Sequence, residues 1–598
     1  MAIVGVKIGR GAAAIATNTA VGDRALAANT TGSRNTAFGG TAGAALTTGA
    51  RNTLLGNNIL STATTSNDNV MIGDYVGRGY TGSNSVAIGA QALGNGSANT
   101  GDNLVAIGQG ALNANASGAN NTAIGQAALT TNTTASNNTA VGYQAGYSNT
   151  TATETIFLGY QAGYSNTTGN FTTAIGASSL RSNTTGEANV AMSAAAMYSN
   201  TTGAFNVGIG RQALYSNTTA SYNTAVGHQA AFANTTGVGV TAMGAVALTA
   251  STGDSNTAFG YAALRFNTTA SNNTAVGYQA GYANTTGDLN NFFGYQAGYS
   301  NTTGNRNVAM GNSALYSNTT GVENTAIGHD NMSTNTTGQY NTGLGRSAMS
   351  SNTTGTQNTA IGMAASSLNT TGTNNTSVGY QALRLNTTGG TNTAIGVQAL
   401  STNTTGGDNT AVGRLSLLNS TGSANTAIGE NSGNSMTTGN KNTLLGRFNG
   451  NQDYLDIRTS SNNIVLSDGD GYPKARWDTT GGATHVNASV SLTGGGSAVA
   501  ICSTSSIWIS TNTLDSGIVL VTATGSNGID GGWCGNWVLS LIKNFGTYQV
   551  NVLSSYLYNT GSYAFTYTVN GSSLLVQATG TSTGFNYALQ KLGAFGTG

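Results

Sequence analysis

Residues that could carry acid–base or metal chemistry are few in this sequence. Three histidines, His228, His329 and His485, occur among 598 residues, and charged residues make up 7% of the chain. No Cys-x-x-Cys or His-x-x-x-His pattern indicates a zinc site. His228 and His329 fall at a repeat position that holds Tyr or Arg elsewhere, which favours variable surface residues over catalytic ones. We therefore predict that the protein is not an enzyme and needs no cofactor.

An acidic run after the repeats, formed by Asp453, Asp456, Asp468 and Asp470, could hold calcium, with Asp468 and Asp470 as the candidate ligands. The two lie in Asp-Gly-Asp-Gly, which is also a preferred sequence of a hairpin turn. We favour the turn and predict no metal site. A polysaccharide-cleaving enzyme built on a β-helix would need paired carboxylates on one face, and this sequence carries very few Asp or Glu before residue 450.

Aromatic residues offer two candidate binding surfaces. Tyr-Gln-Ala-Gly-Tyr units, such as 143–147 and 160–164, place tyrosines in rows that could bind sugar, although stacking between coils is the favoured interpretation. The second surface lies near the C-terminus, where exposed aromatics could stack on a glycan or fill a protein pocket. Its candidate receptor-binding residues are Trp508, Trp533, Trp537, Tyr556 and Tyr558.

A period of seventeen residues must position these side chains. The unit reads Asn-Thr-Ala-(Ile/Val)-Gly, then Ala-Leu or Ala-Gly, then Asn-Thr-Thr-(Gly/Ala), and its Gly recurs from Gly22 to Gly446. Such a period is the signature of a solenoid. About 27 coils, each advancing by about 4.8 Å, would give a shaft of about 130 Å. Spacings of 16 or 19 residues near Gly89, Gly244 and Gly413 are interpreted as drift in surface turns.

The strand of each repeat has one bulky and one small face. Ile or Val precedes the Gly at position −1, and Ala stands at −2 on the opposite face. We expect the bulky residues to fill the coil and the small face to pack on a neighbouring chain around an axis. The predicted shaft interface is Ala123, Gly125, Ala140, Gly142, Ala174 and Gly176.

Three regions are predicted from the change in pattern after the repeats. Residues 1–450 form the parallel β-solenoid shaft, 451–492 a β-hairpin neck, and 493–598 a C-terminal β-sandwich tip of short strands separated by turns. Cys502 and Cys534 both lie in the tip, as a disulfide or as two free thiols. A net charge of +1 argues against nucleic acid as a partner, and no apolar run is long enough to insert into a membrane.

The repeat resembles a known family. Asn-Ser-Val-Ala-Ile-Gly at 84–89 and its Asn-Thr-Ala-Ile-Gly relatives are similar to the head repeats of trimeric autotransporter adhesins. That resemblance implies a β-roll with three chains around one axis and Val/Ile inside each roll. In contrast to that family, we expect no signal peptide, no heptad stalk and no membrane anchor. With the inserted Asn-Thr-Thr-Gly turn and the Leu-Ser-Asp-Gly-Asp-Gly segment, it looks more like bacteriophage tail fibres, which implies a homotrimer with a receptor-binding tip.

We therefore expect an extracellular, virion-borne fibre. Its first coils would dock on tail or baseplate proteins, and its tip would bind a glycan or protein of the host surface, with avidity from three tips. One alternative is a bacterial surface adhesin or extracellular filament. Another is an ice-binding solenoid, in which regular Thr arrays order water.

Overall fold

The all-β prediction is confirmed. The computed structural model describes residues 8–94 and 99–478, together with the backbone of eight strands between 483 and 593, and none of these residues is helical. The chain divides into two compact units, Met1–Asn341 and Thr342–Gly598.

The first unit contains twenty short strands, nearly all of three residues. They are Ile8–Gly9 (β1), Thr19–Val21 (β2), Thr36–Phe38 (β3), Thr53–Leu55 (β4), Val70–Ile72 (β5), Val86–Ile88 (β6), Val105–Ile107 (β7), Thr122–Ile124 (β8), Thr139–Val141 (β9), Ile156–Leu158 (β10), Thr173–Ile175 (β11), Val190–Met192 (β12), Val207–Ile209 (β13), Thr224–Val226 (β14), Thr241–Met243 (β15), Thr257–Phe259 (β16), Thr274–Val276 (β17), Asn291–Phe293 (β18), Val308–Met310 (β19) and Thr325–Ile327 (β20).

The second unit begins with the same pattern and ends with longer strands. Its strands are Thr342–Leu344 (β21), Thr359–Ile361 (β22), Thr376–Val378 (β23), Thr393–Ile395 (β24), Thr410–Val412 (β25), Thr426–Ile428 (β26), Thr443–Leu445 (β27), Asn451–Gln452 (β28), Leu455–Asp456 (β29), Ile464–Ser467 (β30), Pro473–Trp477 (β31), Ala483–Val486 (β32), Ser506–Ser510 (β33), Ser516–Gly525 (β34), Trp533–Asn544 (β35), Thr547–Tyr558 (β36), Ala564–Asn570 (β37), Ser573–Thr579 (β38) and Phe585–Gly593 (β39).

Successive repeat strands pair in parallel, each residue beside its equivalent seventeen positions later. In β8 and β9, for example, Thr122 lies opposite Thr139 and Ala123 opposite Ala140. The predicted solenoid is thus confirmed, with about 26 turns of seventeen residues. At the start, β1 pairs antiparallel with β2 and so covers the edge of the first coil.

The parallel sheet of the second unit continues beyond residue 450. Strand β27 pairs in parallel with β30, and the small hairpin β28–β29 accounts for the four extra residues between them. Strands β31 and β32 then add antiparallel pairs. The remaining strands form antiparallel sheets in the orders β33-β38-β37 and β36-β35-β34-β39. Packing of these two sheets as a sandwich stays a prediction.

One ladder of buried asparagines is formed by the Asn of each Asn-Thr-Thr turn. The Nδ2 of Asn132 donates to Asn115 Oδ1 at 2.7 Å and to the carbonyl of Ala135 at 3.0 Å. Asn149 donates in the same way to Asn132 Oδ1, at 3.0 Å. All seventeen asparagines of this turn are buried. Each amide therefore both joins neighbouring coils and closes its own turn, as stacked amides do in zipper structures.

A second ladder is formed by the Asn that precedes each strand. The N–H of Asn138 donates to Asn121 Oδ1 at 2.9 Å, and Asn138 Nδ2 donates to the carbonyl of Ala152 at 2.9 Å. Thr155 takes the ladder position in the next coil, where its N–H and its hydroxyl both donate to Asn138 Oδ1. Because a buried polar group without a partner costs about 1–3 kcal/mol, the two ladders make each coil depend on its neighbours.

The prediction of which strand face lies inside the coil is wrong. Ala123, Ala140 and Ala174 are fully buried in their own coils, so they have no surface left for a neighbouring chain. Ile124, expected inside, lies half-buried on the outer face. The reason is volume: the interior already holds both asparagine ladders and the residue at position +4, such as Leu129. Only a methyl group fits at −2.

The glycines expected at the same interface have a different role. Gly125 has a φ of +134°, and a Cβ on it would lie 2.3 Å from the carbonyl oxygen of Gly142 in the next coil. Gly142 and Gly176 have the same left-handed backbone, with φ of +138° and +124°. The Gly that ends each strand is therefore required by backbone conformation and by the contact between coils.

Bulky residues at −2 occur where one or both of the neighbouring +4 positions are glycine. Phe157 is fully buried, and a Cβ on Gly146 or on Gly163 would lie 2.5 or 2.3 Å from its ring. Phe292 is enclosed by two glycines in the same way. The alternation between Ala-Leu and Ala-Gly after the strand is therefore a compensation of core volume.

Three coils are one residue short, and each lacks the turn asparagine. Tyr80, Ser251 and Ser420 stand in its place, all buried. Tyr80 Oη lies 2.6 Å from Ser85 Oγ, and Asn267 Nδ2 donates to Ser251 Oγ at 3.0 Å. Burial also raises the pKa of the Tyr80 hydroxyl. Tyr80 and Ser251 thus keep polar contacts at the ladder position, whereas the buried Ser420 Oγ makes no hydrogen bond.

Exchange of core volume between −2 and +4 gives a first prediction. We expect Phe157→Ala to lower the free energy of unfolding by about 3–5 kcal/mol through a cavity, and Gly163→Leu by about 1–3 kcal/mol through overpacking. The double variant restores the Ala/Leu pair of other coils. A leucine fits the backbone at residue 163, because the φ of 59° there is close to the 48° of Leu129 at the equivalent position. The double variant should therefore lose less unfolding free energy than the two single variants lose together, as measured by denaturant unfolding. Additive losses would contradict the compensation.

Loss of a ladder amide gives a second prediction. Asn200 donates to Asn183 Oδ1 and to the carbonyl of Gly203, and it accepts from Asn217. We expect Asn200→Ala to lower the free energy of unfolding by about 3 kcal/mol, because buried partners on both sides lose a bond. Thr202→Ala, at an exposed position of the same turn, is the control and should change stability by less than about 0.5 kcal/mol. Equal stability of both variants in thermal unfolding would refute the ladder's role.

Candidate binding surfaces

An apolar row occupies the outer strand face of each unit. It consists of the residues at position −1, which the strand directs away from the interior. Phe38 is 55% exposed in the first unit and Leu344 46% in the second. Other exposed members are Leu55, Leu158, Met192, Ile209, Phe259, Met310, Ile361, Ile395, Ile428 and Leu445. Contiguous apolar surface of this kind on soluble proteins marks a site of contact with another molecule.

Two tyrosine rows follow the strands, at positions +1 and +5 after the Gly; we refer to them as the outer and the inner row. Tyr143 and Tyr160 stack in the outer row with centroids 5.4 Å apart, and Tyr147 and Tyr164 in the inner row at 5.1 Å. The interpretation of cross-coil stacking is confirmed. Because the rings cover each other's faces, they present edges and hydroxyl groups to solvent, and a sugar cannot stack within a run.

Both rows contain further runs in the first unit. Stacked pairs there are Tyr261–Tyr278 and Tyr278–Tyr295 in the outer row, and Tyr198–Tyr215, Tyr215–Phe232, Tyr282–Tyr299 and Tyr299–Tyr316 in the inner row. Desolvation in the stack raises the pKa of Tyr299.

An arginine replaces one ring of the inner row. The guanidinium carbon of Arg181 lies 5.3 Å from the Tyr164 ring centroid and 5.7 Å from that of Tyr198. Its Nε donates to Gln161 Oε1 at 3.1 Å, which fixes it between the rings. Sequence reasoning did not identify this residue, although its place five residues after Gly176 was the available signal. A planar cation can thus substitute for a ring in the stack.

The histidines show no arrangement suited to catalysis in the described part of the chain. His228 is exposed on the outer row, and His329 Nδ1 lies 2.9 Å from Asp330 Oδ2 on an exposed surface. His485 belongs to β32, where only the backbone is described. Among the described residues, no group of three or more His, Cys, Asp or Glu is placed to hold a metal ion.

Asp468 serves as the cap of a turn. Its Oδ1 accepts from the N–H groups of Tyr472 and Asp470, at 2.8 and 3.1 Å, and its Oδ2 pairs with Lys474 Nζ at 2.8 Å. The Lys474 contact is the main cause of the lowered pKa of Asp468. Both oxygens are thus used within the hairpin, in agreement with the interpretation of Asp-Gly-Asp-Gly as a turn.

Other carboxylates also pair locally. Arg306 Nη1 lies 3.0 Å from Glu323 Oε1, seventeen residues on, and Arg51 pairs with Asp68 in the same way. A hydrogen bond from Arg458 is the main cause that lowers the pKa of Asp456 to about 2. These exposed pairs add little stability, but they neutralise charge on the surface of the coils.

The Asn-Thr-Thr turns leave few free polar groups. The first Thr donates its hydroxyl to the next coil, as Thr133 does to the carbonyl of Thr150 at 3.0 Å. The buried Asn, such as Asn132, is inaccessible to a glycosyltransferase in the folded chain. These internal bonds remove one row of hydroxyls from any Thr array that could order water.

The C-terminal candidate residues lie on strands whose backbone register is described. Trp533 pairs with Gly525, and Trp537 with Val521 and Ser555. Tyr556 pairs with Asn536 and Tyr558 with Cys534, so four candidates fall on the neighbouring strands β35 and β36.

The fifth candidate, Trp508, pairs with Leu575 in the other antiparallel sheet. The side chains of all five, and Cys502, lie outside the described residues. The receptor-binding assignment and the disulfide therefore stay predictions.

Comparison with known proteins leaves the family open. No protein-family model matches the chain, and a search of curated proteins finds no significant match. Within the described ranges, the structure contains no helix with the length and hydrophobicity of a membrane span.

Proposed function

We propose that this protein is a non-catalytic fibre of the bacteriophage tail-fibre kind, in which three identical chains join along their solenoids and the C-terminal strands bind a host surface. The observation that carries the proposal is the exposed apolar row at position −1. The ladders hold each coil from within, so this row is not needed to close the coil. It is available for contact with another chain.

The proposed interface replaces the one expected from sequence. Residues such as Ile124, Ile175 and Phe259 lie on the outer strand face, with Thr or Val two positions earlier on the same side. Identical rows on three chains would face a common axis and bury one another's apolar surface. This burial would stabilise the trimer by about 25 cal/mol for each Å² of apolar surface. The number three follows from the resemblance to trimeric adhesin heads, and a mass measurement distinguishes it from two.

The remaining parts of the proposal concern the two ends. The first coils would dock on tail or baseplate proteins of a virion. The antiparallel strands around Trp533 and Trp537 would bind a glycan or protein of the host, and three copies would raise a weak affinity by avidity. Detection of the protein in purified virions would support this placement. Its absence from virions, together with its presence on bacterial cells, would instead support a surface adhesin.

Self-association through the apolar row gives a third prediction. The native chain of 59.8 kDa should have three times that mass in light scattering. We expect the double variant Ile124→Lys/Ile175→Lys to be monomeric, because two buried charges per chain would oppose contact at the axis. Thr134→Lys/Thr185→Lys, on exposed turns of the same coils, is the control and should stay trimeric. A monomeric native chain would refute the proposal.

Recognition by the C-terminal strands gives a fourth prediction. The full chain should bind saturably to a susceptible strain within a panel of bacteria, measured by flow cytometry with labelled protein. A chain ending at residue 478, which keeps the repeat coils, should retain less than about a tenth of that binding, because the three recognition sites are lost. Equal binding by the shortened chain would show that the repeat coils, and not the C-terminal strands, bind the host surface.

A further inference from the structure

The two tyrosine rows share an interruption at one coil of the first unit. In the inner row, backbone bonds place Phe232, Thr249 and Arg265 in successive coils: Ala233 N donates to Thr249 O, and Ala250 N to Arg265 O. In the outer row the corresponding residues are His228, Ala245 and Tyr261. This is also one of the short coils, with sixteen residues between its glycines. We call this interruption the row gap.

The row gap has the height of one ring. Successive rings in the runs are 4.9 to 5.4 Å apart where they stack. Phe232 and Arg265 are separated by two coil steps, or about 10 Å. A ring placed over Thr249 would lie about 5 Å from each, at the spacing of the native rows. Thr249 does not fill this space, because its hydroxyl donates to the carbonyl of Val246 at 2.7 Å.

The walls of the row gap differ in chemistry. Phe232 stacks on Tyr215 through one face, which leaves its other face toward Thr249. The guanidinium carbon of Arg265 lies 5.2 Å from the ring centroid of the adjacent Phe266 and 5.9 Å from that of Tyr282 in the next coil, and its Nη1 donates to Tyr282 Oη at 3.4 Å. Arg181 is enclosed by rings on both sides, whereas Arg265 has a ring neighbour in its row on one side only. One wall is therefore apolar and flat, and the other is a guanidinium.

The charge of the surroundings selects an anion. Arg211, His228 and Arg265 occupy these rows between Gly210 and Gly294, and no Asp or Glu does. Among the described residues, no carboxylate lies within ion-pair distance of Arg265. A guanidinium without a carboxylate partner binds carboxylates through paired N–H donors.

We propose that the row gap binds one ring of an acidic sugar, with its C–H face on Phe232 and its carboxylate on Arg265. The missing ring at Ala245 widens the entrance and leaves one face of Tyr261 for the next sugar of a chain. The site lies on the shaft and goes beyond the proposed recognition by the C-terminal strands. An anionic host or capsule polysaccharide could thus contact the fibre along its side.

The experiment compares two sugars that differ in charge, glucuronate and glucose, by saturation-transfer NMR with the full chain. We expect glucuronate to give a signal at least about five-fold stronger than glucose, from the charge-assisted bonds. Thr249→Tyr places a native-like ring in the row gap and should abolish the glucuronate signal. Arg265→Gln should make the two sugars equal.

The matched control is Thr130→Tyr, which adds a ring at the same row position beside Tyr147, far from the row gap. It should bind glucuronate as the native chain does. Equal signals from the two sugars, or unchanged binding in Thr249→Tyr, would overturn the proposal. Because the readout is binding of a free sugar, its failure is distinct from failure of the shortened chain to bind cells.

Discussion

The buried amide of asparagine is the interaction on which the rest of this structure depends. Its carbonyl and its amino group have fixed positions, so each Asn in the turn must find its equivalent one coil away. That requirement sets the period and holds the strands in register. It also takes up the interior, which limits the strand to a methyl group at Ala123 and moves the larger Ile124 to the surface. Stability and surface chemistry are thereby assigned to different residues of the same coil.

Much of the fold was predictable because the period specifies neighbours. Once Tyr147 and Tyr164 are seventeen residues apart, parallel pairing places them in contact, and the stacking follows. The inside and outside of the strand could not be chosen from alternation alone, since both assignments alternate equally well. The deciding quantity was the core volume that the residue at −2 shares with the residues at +4. Phe157 beside Gly163 was the sequence signal of this sharing.

The candidate surfaces were less predictable for different reasons. Arg181 completes a stack only because Gln161 and two tyrosines surround it, a relation that composition does not show. At the C-terminal end, Trp533 and Tyr558 belong to antiparallel strands without a repeat. There, no equivalent residue in a neighbouring coil indicates which groups share an environment. A periodic segment predicts its own contacts, whereas an aperiodic one requires the tertiary structure.

Every standard coil donates and accepts the same set of bonds as the coil before it. A recombination event that inserts or deletes seventeen codons in phase therefore leaves no ladder position unmatched, since the flanking coils meet identical partners. Other lengths are accommodated where the extra residues leave the coil as a hairpin, as β28–β29 does between Asn442 and Asn463, or where a residue such as Tyr80 or Ser251 takes the ladder position. The number of coils is consequently a trait that a genome can change in single steps without redesigning the core.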